Sequence, residues 1–181
     1  NWVRLVSFPV KRLDGSFSHR ECPLRLMFDA DGDWIPAGRF LPVAERLKLT
    51  PELDLAAIRL GLRELEQSPQ LSGLAINISA SSIDSAGFRD SVRSLLRSQP
   101  KAARRLWLEI PENGALQNFE SFRLLCRDLQ EAGCITGIEH FGRQFSQIGL
   151  LHGLGLDYIK VDASFIRGIE SNPGNQTFLK G

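Results

Sequence analysis

The 181-residue sequence lacks any apolar run near the roughly 20 residues that cross a bilayer. It shows no secretory leader, with its charged start and short apolar core. Charge of one sign is also missing. Its 22 basic and 21 acidic residues leave a formal net charge of +1, which supplies no basic face for a nucleic-acid polymer but leaves room for a small phosphate ligand held by local cations. Cysteine is scarce. Cys22, Cys126 and Cys134 are odd in number and have no CxxC spacing, so reduced thiols in a cytosolic compartment are expected. With 43% hydrophobic and 24% charged residues, the composition suits one domain with a core. The first residue is Asn1 rather than methionine, and we expect a piece of a longer protein whose other parts are free to carry membrane segments.

Val3–Val10 alternates apolar and polar and predicts a strand. Lys11–Ser18, containing Asp14-Gly15, predicts a hairpin turn, and Arg20–Phe28 its antiparallel partner. Asp29–Asp33 opens like a calcium loop, but Trp34 and Phe40 stand where the loop needs glycine and glutamate. Phe40–Leu47 predicts a short helix. Thr50 as cap and Pro51 as first helical residue start a longer one that ends near Pro69. Strands are expected at Leu74–Ile78, Leu106–Ile110, Ile135–Phe141 and Leu156–Asp162. Helices are expected at Phe88–Arg97 (ended by Pro100), Phe119–Ala132 (capped by Gly133) and Gln147–Leu154, with a turn around Ser164–Ile169. Ser79–Ser85 and Pro111–Asn118 read as loops, and Asn172–Asn175 as the first linker-like stretch. A hairpin followed by repeated βα units implies an α/β fold whose parallel sheet closes toward a barrel. A full (β/α)8 TIM barrel takes about 250 residues, so the chain, taken as one domain over residues 1–181, supplies the first five or six strands.

Most of these strands carry a polar residue near their C-terminal end: Asn77, Glu109, Glu139 with His140, and Lys160 with Asp162. The earlier stretch adds Glu21 and Arg25. Parallel strands bring such ends to one face, where α/β proteins do their chemistry. Glu21, Asn77, Glu109 and Glu139 are hard oxygen donors of the kind that bind Mg²⁺. Period-two alternation puts Arg25 on the face of Glu21 and Pro23, where a guanidinium can grip a phosphate. Each residue taken singly also fits a solvated strand end; the recurrence at corresponding ends is what argues for a site.

Six segments in register resemble the EAL domain family of cyclic di-GMP signalling. Glu21-Cys22-Pro23-Leu24-Arg25 resembles the Glu-Ala-Leu-x-Arg signature, and Phe40-Leu41-Pro42-Val43-Ala44-Glu45 resembles Phe-Ile-Pro-x-Ala-Glu. Asn77-Ile78-Ser79-Ala80 and Leu108-Glu109-Ile110-Pro111-Glu112 are similar to Asn-x-Ser-Ala and Leu-Glu-Ile-Thr-Glu. Glu139-His140-Phe141-Gly142 stands in place of Asp-Asp-Phe-Gly, and Lys160-Val161-Asp162-Ala163-Ser164-Phe165 resembles Lys-Ile-Asp-x-Ser-Phe. The resemblance implies a TIM-barrel-like EAL fold with an antiparallel first strand, the C-terminal strands lying outside this chain. It also implies descent from metal-dependent phosphodiesterases that linearise cyclic di-GMP.

The departures set the functional expectation. Glutamate and histidine replace paired aspartates, Arg143-Gln144 replaces a small flexible loop, and Cys22 and Pro23 replace alanine and leucine. An imidazole is a poor Mg²⁺ ligand, and two-metal hydrolysis needs both ions. The reading is therefore not an enzyme but a degenerate phosphodiesterase. No catalytic residue is expected; Glu21, Asn77, Glu109, Glu139, His140 and Lys160 are vestigial. No metal is expected and no cofactor, the Mg/Mn site being lost. Pro23, Leu24, Arg25, Pro42, Glu112 and Lys160 are expected to hold the ligand, cyclic di-GMP. Within the family the chain looks most like LapD-type inner-membrane receptors. That implies a cytoplasmic domain in a homodimer, with upstream GGDEF, HAMP and periplasmic parts, acting indirectly on a periplasmic protease in biofilm adhesin retention. The alternatives are a weakly active phosphodiesterase using an ion such as Mn²⁺ and a ligand-free interaction domain.

Overall fold

The computed structural model describes residues 2–30, 32–142 and 148–180, without the side chains of 148 and 150. Strands β1 (Val3–Leu5), β2 (Phe8–Lys11), β3 (Phe17–Glu21), β4 (Leu24–Leu26) and β5 (Ile35–Pro36) open the chain. The alternation over Val3–Val10 predicts one strand, but two form, and they enter different sheets. Val6 is the break: its N–H donates to the Pro23 carbonyl at 3.1 Å. Arg20–Phe28 splits in the same way around Cys22-Pro23. The β2–β3 hairpin forms as read. Gly15 takes φ 81°, a left-handed value that costs glycine little, and Asp14 Oδ1 accepts the Ser16 N–H at 2.8 Å.

The rest alternates: α1 (Ala37–Arg46), α2 (Thr50–Gln67), β6 (Leu74–Asn77), α3 (Ala80–Ile83), α4 (Phe88–Ser98), α5 (Pro100–Ala103), β7 (Leu106–Pro111), α6 (Glu112–Gln117), α7 (Phe119–Ala132), β8 (Ile135–Phe141), α8 (Ile148–Leu151), β9 (Tyr158–Val161), α9 (Ala163–Ile166) and α10 (Pro173–Lys180). The main sheet has the order β2-β3-β6-β7-β8-β9. Within it β2 pairs antiparallel to β3, while β3 through β9 pair in parallel. β1, β4 and β5 form a separate antiparallel sheet. The six strands make a curled part-barrel, the expected α/β architecture.

One face of each parallel strand packs under the helices. Leu74, Ile76, Leu106, Leu108 and Ile110 meet Ile58, Leu62, Phe122 and Leu125 in a buried core, each contributing about 1.5–3 kcal/mol of burial. Gly133, at φ 77°, caps α7 as read: its N–H and that of Cys134 return to the last turn.

Several further local expectations change. Thr50 lies inside α2, after Leu49 at the cap position, because its hydroxyl is drawn to Ser81 Oγ at 2.8 Å. The Ser79–Ser85 and Pro111–Asn118 stretches contain α3 and α6. Pro100 not only follows α4 but begins α5. The linker-like Asn172–Asn175 is a helix start: Asn172 Oδ1 accepts the Asn175 N–H at 3.0 Å, Pro173 begins α10, and Phe178 packs on Phe141 and Phe165. The Arg143-Gln144 departure lies outside the described residues. Among the described residues, no helix is long and apolar enough to cross a membrane.

Candidate functional site

The second face of the parallel strands points into the barrel. Period two places Glu109 of β7, Gly137 of β8 and Tyr158 of β9 in one register row. The Tyr158 hydroxyl crosses β8 to donate to Glu109 Oε1 at 2.7 Å. It can cross there because Gly137 has no side chain: a Cβ at that position would stand 2.4 Å from Tyr158 Cζ. Glu109 is fully buried. Its other oxygen accepts from Lys160 Nζ at 2.7 Å, and the same ammonium lies 3.4 Å from Glu21 Oε2.

Asn77 stands opposite Glu109 in the β6–β7 register. Glu139, one step further along β8 from the Gly137 row, is paired with Pro111. The structure thus brings Glu21, Asn77, Glu109, Glu139 and Lys160 to the same end of the sheet. Two carboxylates, Glu109 and Glu21, pair with one ammonium, and the charge of Glu139 acts on it as well. Burial by itself lowers the pKa of Lys160, but its hydrogen bond to Glu109 and the charges of Glu109, Glu21 and Glu139 outweigh this and raise it. Burial raises the pKa of Glu139, helped by Glu109 and Glu21 and opposed by His140 and Lys160. Burial likewise raises Tyr158, reinforced by Glu109.

His140 occupies the next position with φ 54°, a left-handed conformation uncommon for a side-chain-bearing residue. The β8–β9 register shifts between Ile138 and Phe141, and such bulges re-aim side chains next to active sites. The imidazole Nδ1 sits 3.0 Å from Asp162 Oδ2, and Nε2 sits 4.0 Å from Glu139 Oε2. Asp162 Oδ1 accepts the Ser164 N–H at 2.9 Å, capping α9.

A cavity of about 390 Å³ opens beside this group, lined by Pro23, Leu24, Phe40, Leu41, Asn77, Glu139 and His140 among others. Pro23 and Leu24 are where the sequence places ligand contacts. Pro42 is exposed, and its neighbours Phe40 and Leu41 line the wall instead. Glu112 is buried, and its Oε1 accepts the Gly142 N–H at 3.2 Å, so it holds the turn after β8. Arg25 belongs to the β1-β4-β5 sheet, paired with Arg4 and Pro36. The break at Cys22-Pro23 interrupts the alternation that put it on the face of Glu21.

Sequence reasoning passed over Tyr158, although it stands two residues before Lys160 on the same face. It also passed over Asp54. That carboxylate is buried and accepts from Ser79 N–H at 2.7 Å and from Ser82 Oγ at 2.6 Å, pinning the turn that follows Asn77. The signal was an acidic residue on the apolar face of α2.

Glu21, Asn77, Glu109 and Glu139 fit one hard divalent ion by donor chemistry, and the excess of carboxylates over ammonium favours a cation. In the present arrangement Lys160 draws Glu109 and Glu21 to itself. Among the described residues no three His, Cys, Asp or Glu side chains stand together as a ready metal cage.

Comparison with known proteins is consistent with this geometry. The EAL domain model matches residues 9–181. The cyclic di-GMP phosphodiesterase PdeF of Escherichia coli is 32% identical over 95% of the chain, and PdeA of Borreliella burgdorferi is 30% identical over 87%. The chain spans only 23% and 24% of those two proteins. The S helix-GGDEF-EAL structure of Vibrio cholerae LapD bound to c-di-GMP superposes with a TM-score of 0.86 at 25% identity, covering 98% of this chain and 43% of that one. These findings correct two expectations. Relatives named phosphodiesterases overturn the reading of the chain as a non-enzyme. The expectation of no cofactor falls with it, because it followed from that reading. The chain belongs to the EAL domain family.

Proposed function

We propose that this domain binds cyclic di-GMP at the C-terminal ends of its parallel strands and opens one phosphodiester bond with the help of a divalent cation. The observation that carries this is the buried Glu109, tied at once to Lys160 and Tyr158 beside Glu21 and Glu139. The names of PdeF and PdeA support the reaction, and the c-di-GMP complex of the LapD neighbour supports the ligand.

Glu21, Asn77, Glu109 and Glu139 would hold the ion. When bound, it supplies Lewis acidity and makes water a nucleophile near neutral pH. The protein's own groups do the rest. Tyr158 and Lys160 each donate to one oxygen of Glu109 and so fix the plane of its carboxylate. Lys160, kept charged by its neighbours, offers N–H donors to an attacking oxygen or a phosphate. Leu24, Phe40 and Leu41 give a guanine an apolar wall. Arg25, carried on the neighbouring β1-β4-β5 sheet, is in this reading a further phosphate contact through its guanidinium. With histidine at position 140 in place of a carboxylate, cleavage is slow and the dinucleotide stays bound long enough to act as a signal.

The finer reading keeps the chain as the cytoplasmic part of a homodimeric inner-membrane protein that controls adhesin retention. The GGDEF segment of the LapD neighbour supports an upstream domain of that kind. Incubation with cyclic di-GMP in Mg²⁺ or Mn²⁺, followed by chromatography, tests the activity. A linear dinucleotide that disappears in Glu109→Gln and on chelation supports it. Calorimetric binding of an uncleaved ligand removes the hydrolytic half, and the absence of binding removes both.

A further inference from the structure

A second cavity, of about 570 Å³, is lined by residues of β1, β3 and α2, and three of them are arginines: Arg4, Arg20 and Arg63. Period two puts Arg20 on the face of β3 opposite Glu21, so this space lies apart from the strand-end site. Buried Cys22 lines both cavities. Among the described residues none of the three guanidiniums is in an ion pair. The lining holds one carboxylate, Glu64, which accepts from the Ser68 hydroxyl at 3.1 Å. Two of the guanidiniums are held in place. Arg4 Cζ stands 4.1 Å from the centroid of the Trp34 ring, a cation–π contact. Arg20 Nε donates to Ser7 Oγ. Neither contact neutralises the charge.

Like charges gathered around one space repel, and an anion seated among them relieves that cost. Guanidinium N–H groups match the oxygens of a phosphate in pairs. The rest of the lining is of a different kind. Leu60, Leu71 and Leu74 contribute apolar surface, and Trp34 adds an aromatic ring. An apolar wall with a few convergent polar groups, at a volume of roughly 300–1,000 Å³, is the usual form of a small-molecule pocket. We propose that this cavity binds a small organic anion, one that joins a phosphate head to an aromatic body. The head meets Arg4, Arg20 and Arg63, and the body lies on the leucines beside Trp34. The site is independent of the strand ends and stands whether or not they hold a cation or cleave a dinucleotide.

The test titrates the full chain, with chelator and without dinucleotide, with 1-naphthyl phosphate and separately with its two halves, 1-naphthol and inorganic phosphate. Affinity is read by calorimetry at low salt. The whole probe is expected to bind at least about tenfold more tightly than either half, and less tightly as salt rises. Arg4 and Arg63 are exposed, so their replacement spares the core. Arg63→Gln is expected to weaken 1-naphthyl phosphate about fivefold and Arg4→Gln with Arg63→Gln about twentyfold or more, while 1-naphthol moves less than about twofold. In the unsubstituted chain the probe should shift the indole N–H resonance of Trp34 and leave that of Trp107, inside the barrel, in place. This readout needs no variant to fold. Cyclic di-GMP binding should be unchanged in Arg63→Gln. No binding, an affinity indifferent to the double substitution, or a shift at Trp107 without one at Trp34 overturns the proposal. Loss of cyclic di-GMP cleavage alone leaves this site intact and sinks the phosphodiesterase reading.

Discussion

Lys160→Met removes the ammonium placed beside Glu109 and Glu21, within the field of Glu139, while keeping most of the side-chain volume. Glu109 is fully buried, so the substitution strips its carboxylate of the ionic partner at 2.7 Å and leaves it the Tyr158 hydroxyl. Removing one member of a fully buried pair costs about 3–5 kcal/mol. Lys160 itself keeps 34% of its side chain exposed, so water compensates in part, and exposed pairs are worth below about 1 kcal/mol. The expected cost lies between these limits, at about 2–3 kcal/mol. For a chain of this length that lowers Tm by roughly 5–10 °C. Urea denaturation followed by circular dichroism at low salt, with the m-value compared between variants, measures it. A loss below about 0.5 kcal/mol with an unchanged m-value would show that Glu109 is solvated and refute the picture of a dry, charge-paired floor.

Further outcomes follow from other contacts. Burial pushes the Asp54 carboxyl up to about 6, against the hydrogen bonds from Ser82 and Ser79, from an ordinary 3.8. The folded state therefore binds the extra proton. The contribution of Asp54 to stability is full below about pH 4 and is lost as pH rises through 6, about 3 kcal/mol in all at 1.36 kcal/mol per pKa unit. Asp54→Asn should flatten the urea midpoint between pH 4 and 7; a wild-type midpoint already flat there would contradict the assignment. Gly137→Ala places a Cβ 2.4 Å from Tyr158 Cζ and should cost about 1–3 kcal/mol by overpacking, with the near-ultraviolet signal of Tyr158 altered; a neutral effect would mean that the ring does not cross β8. Phe122→Ala, deep under β7 and β8, should cost about 3–5 kcal/mol by the same urea assay, and a loss under 1 kcal/mol would contradict its burial.

The βα order, the hairpin at Asp14-Gly15, the cap at Gly133 and the polar strand ends were legible because each is a local signal. Periodicity, one turn dipeptide and one left-handed glycine suffice to read them. The Arg25 expectation depended on an unbroken strand, and the Val6–Pro23 hydrogen bond that divides it is a tertiary event invisible in the alternation. Thr50 was read as a cap because its hydroxyl usually serves the backbone, but Ser81, 31 residues away, takes it instead. Asn172-Pro173-Gly174 has linker composition and is also a helix start, and only the packing of Phe178 decides between the two. Tyr158 and Asp54 escaped notice because their importance lies in partners on other elements. The substitutions at Glu139 and His140 suggested a dead site by composition; relatives named phosphodiesterases overturn that reading.

The most direct measurement is a single-turnover reaction with protein in excess over cyclic di-GMP, quenched over time and resolved by chromatography with a divalent ion present or chelated. A slow, metal-dependent conversion of the ring to the linear dinucleotide is expected. Recovery of the ring intact after prolonged incubation with Mg²⁺, Mn²⁺ and Co²⁺ in turn, from protein shown to have bound it, would contradict it.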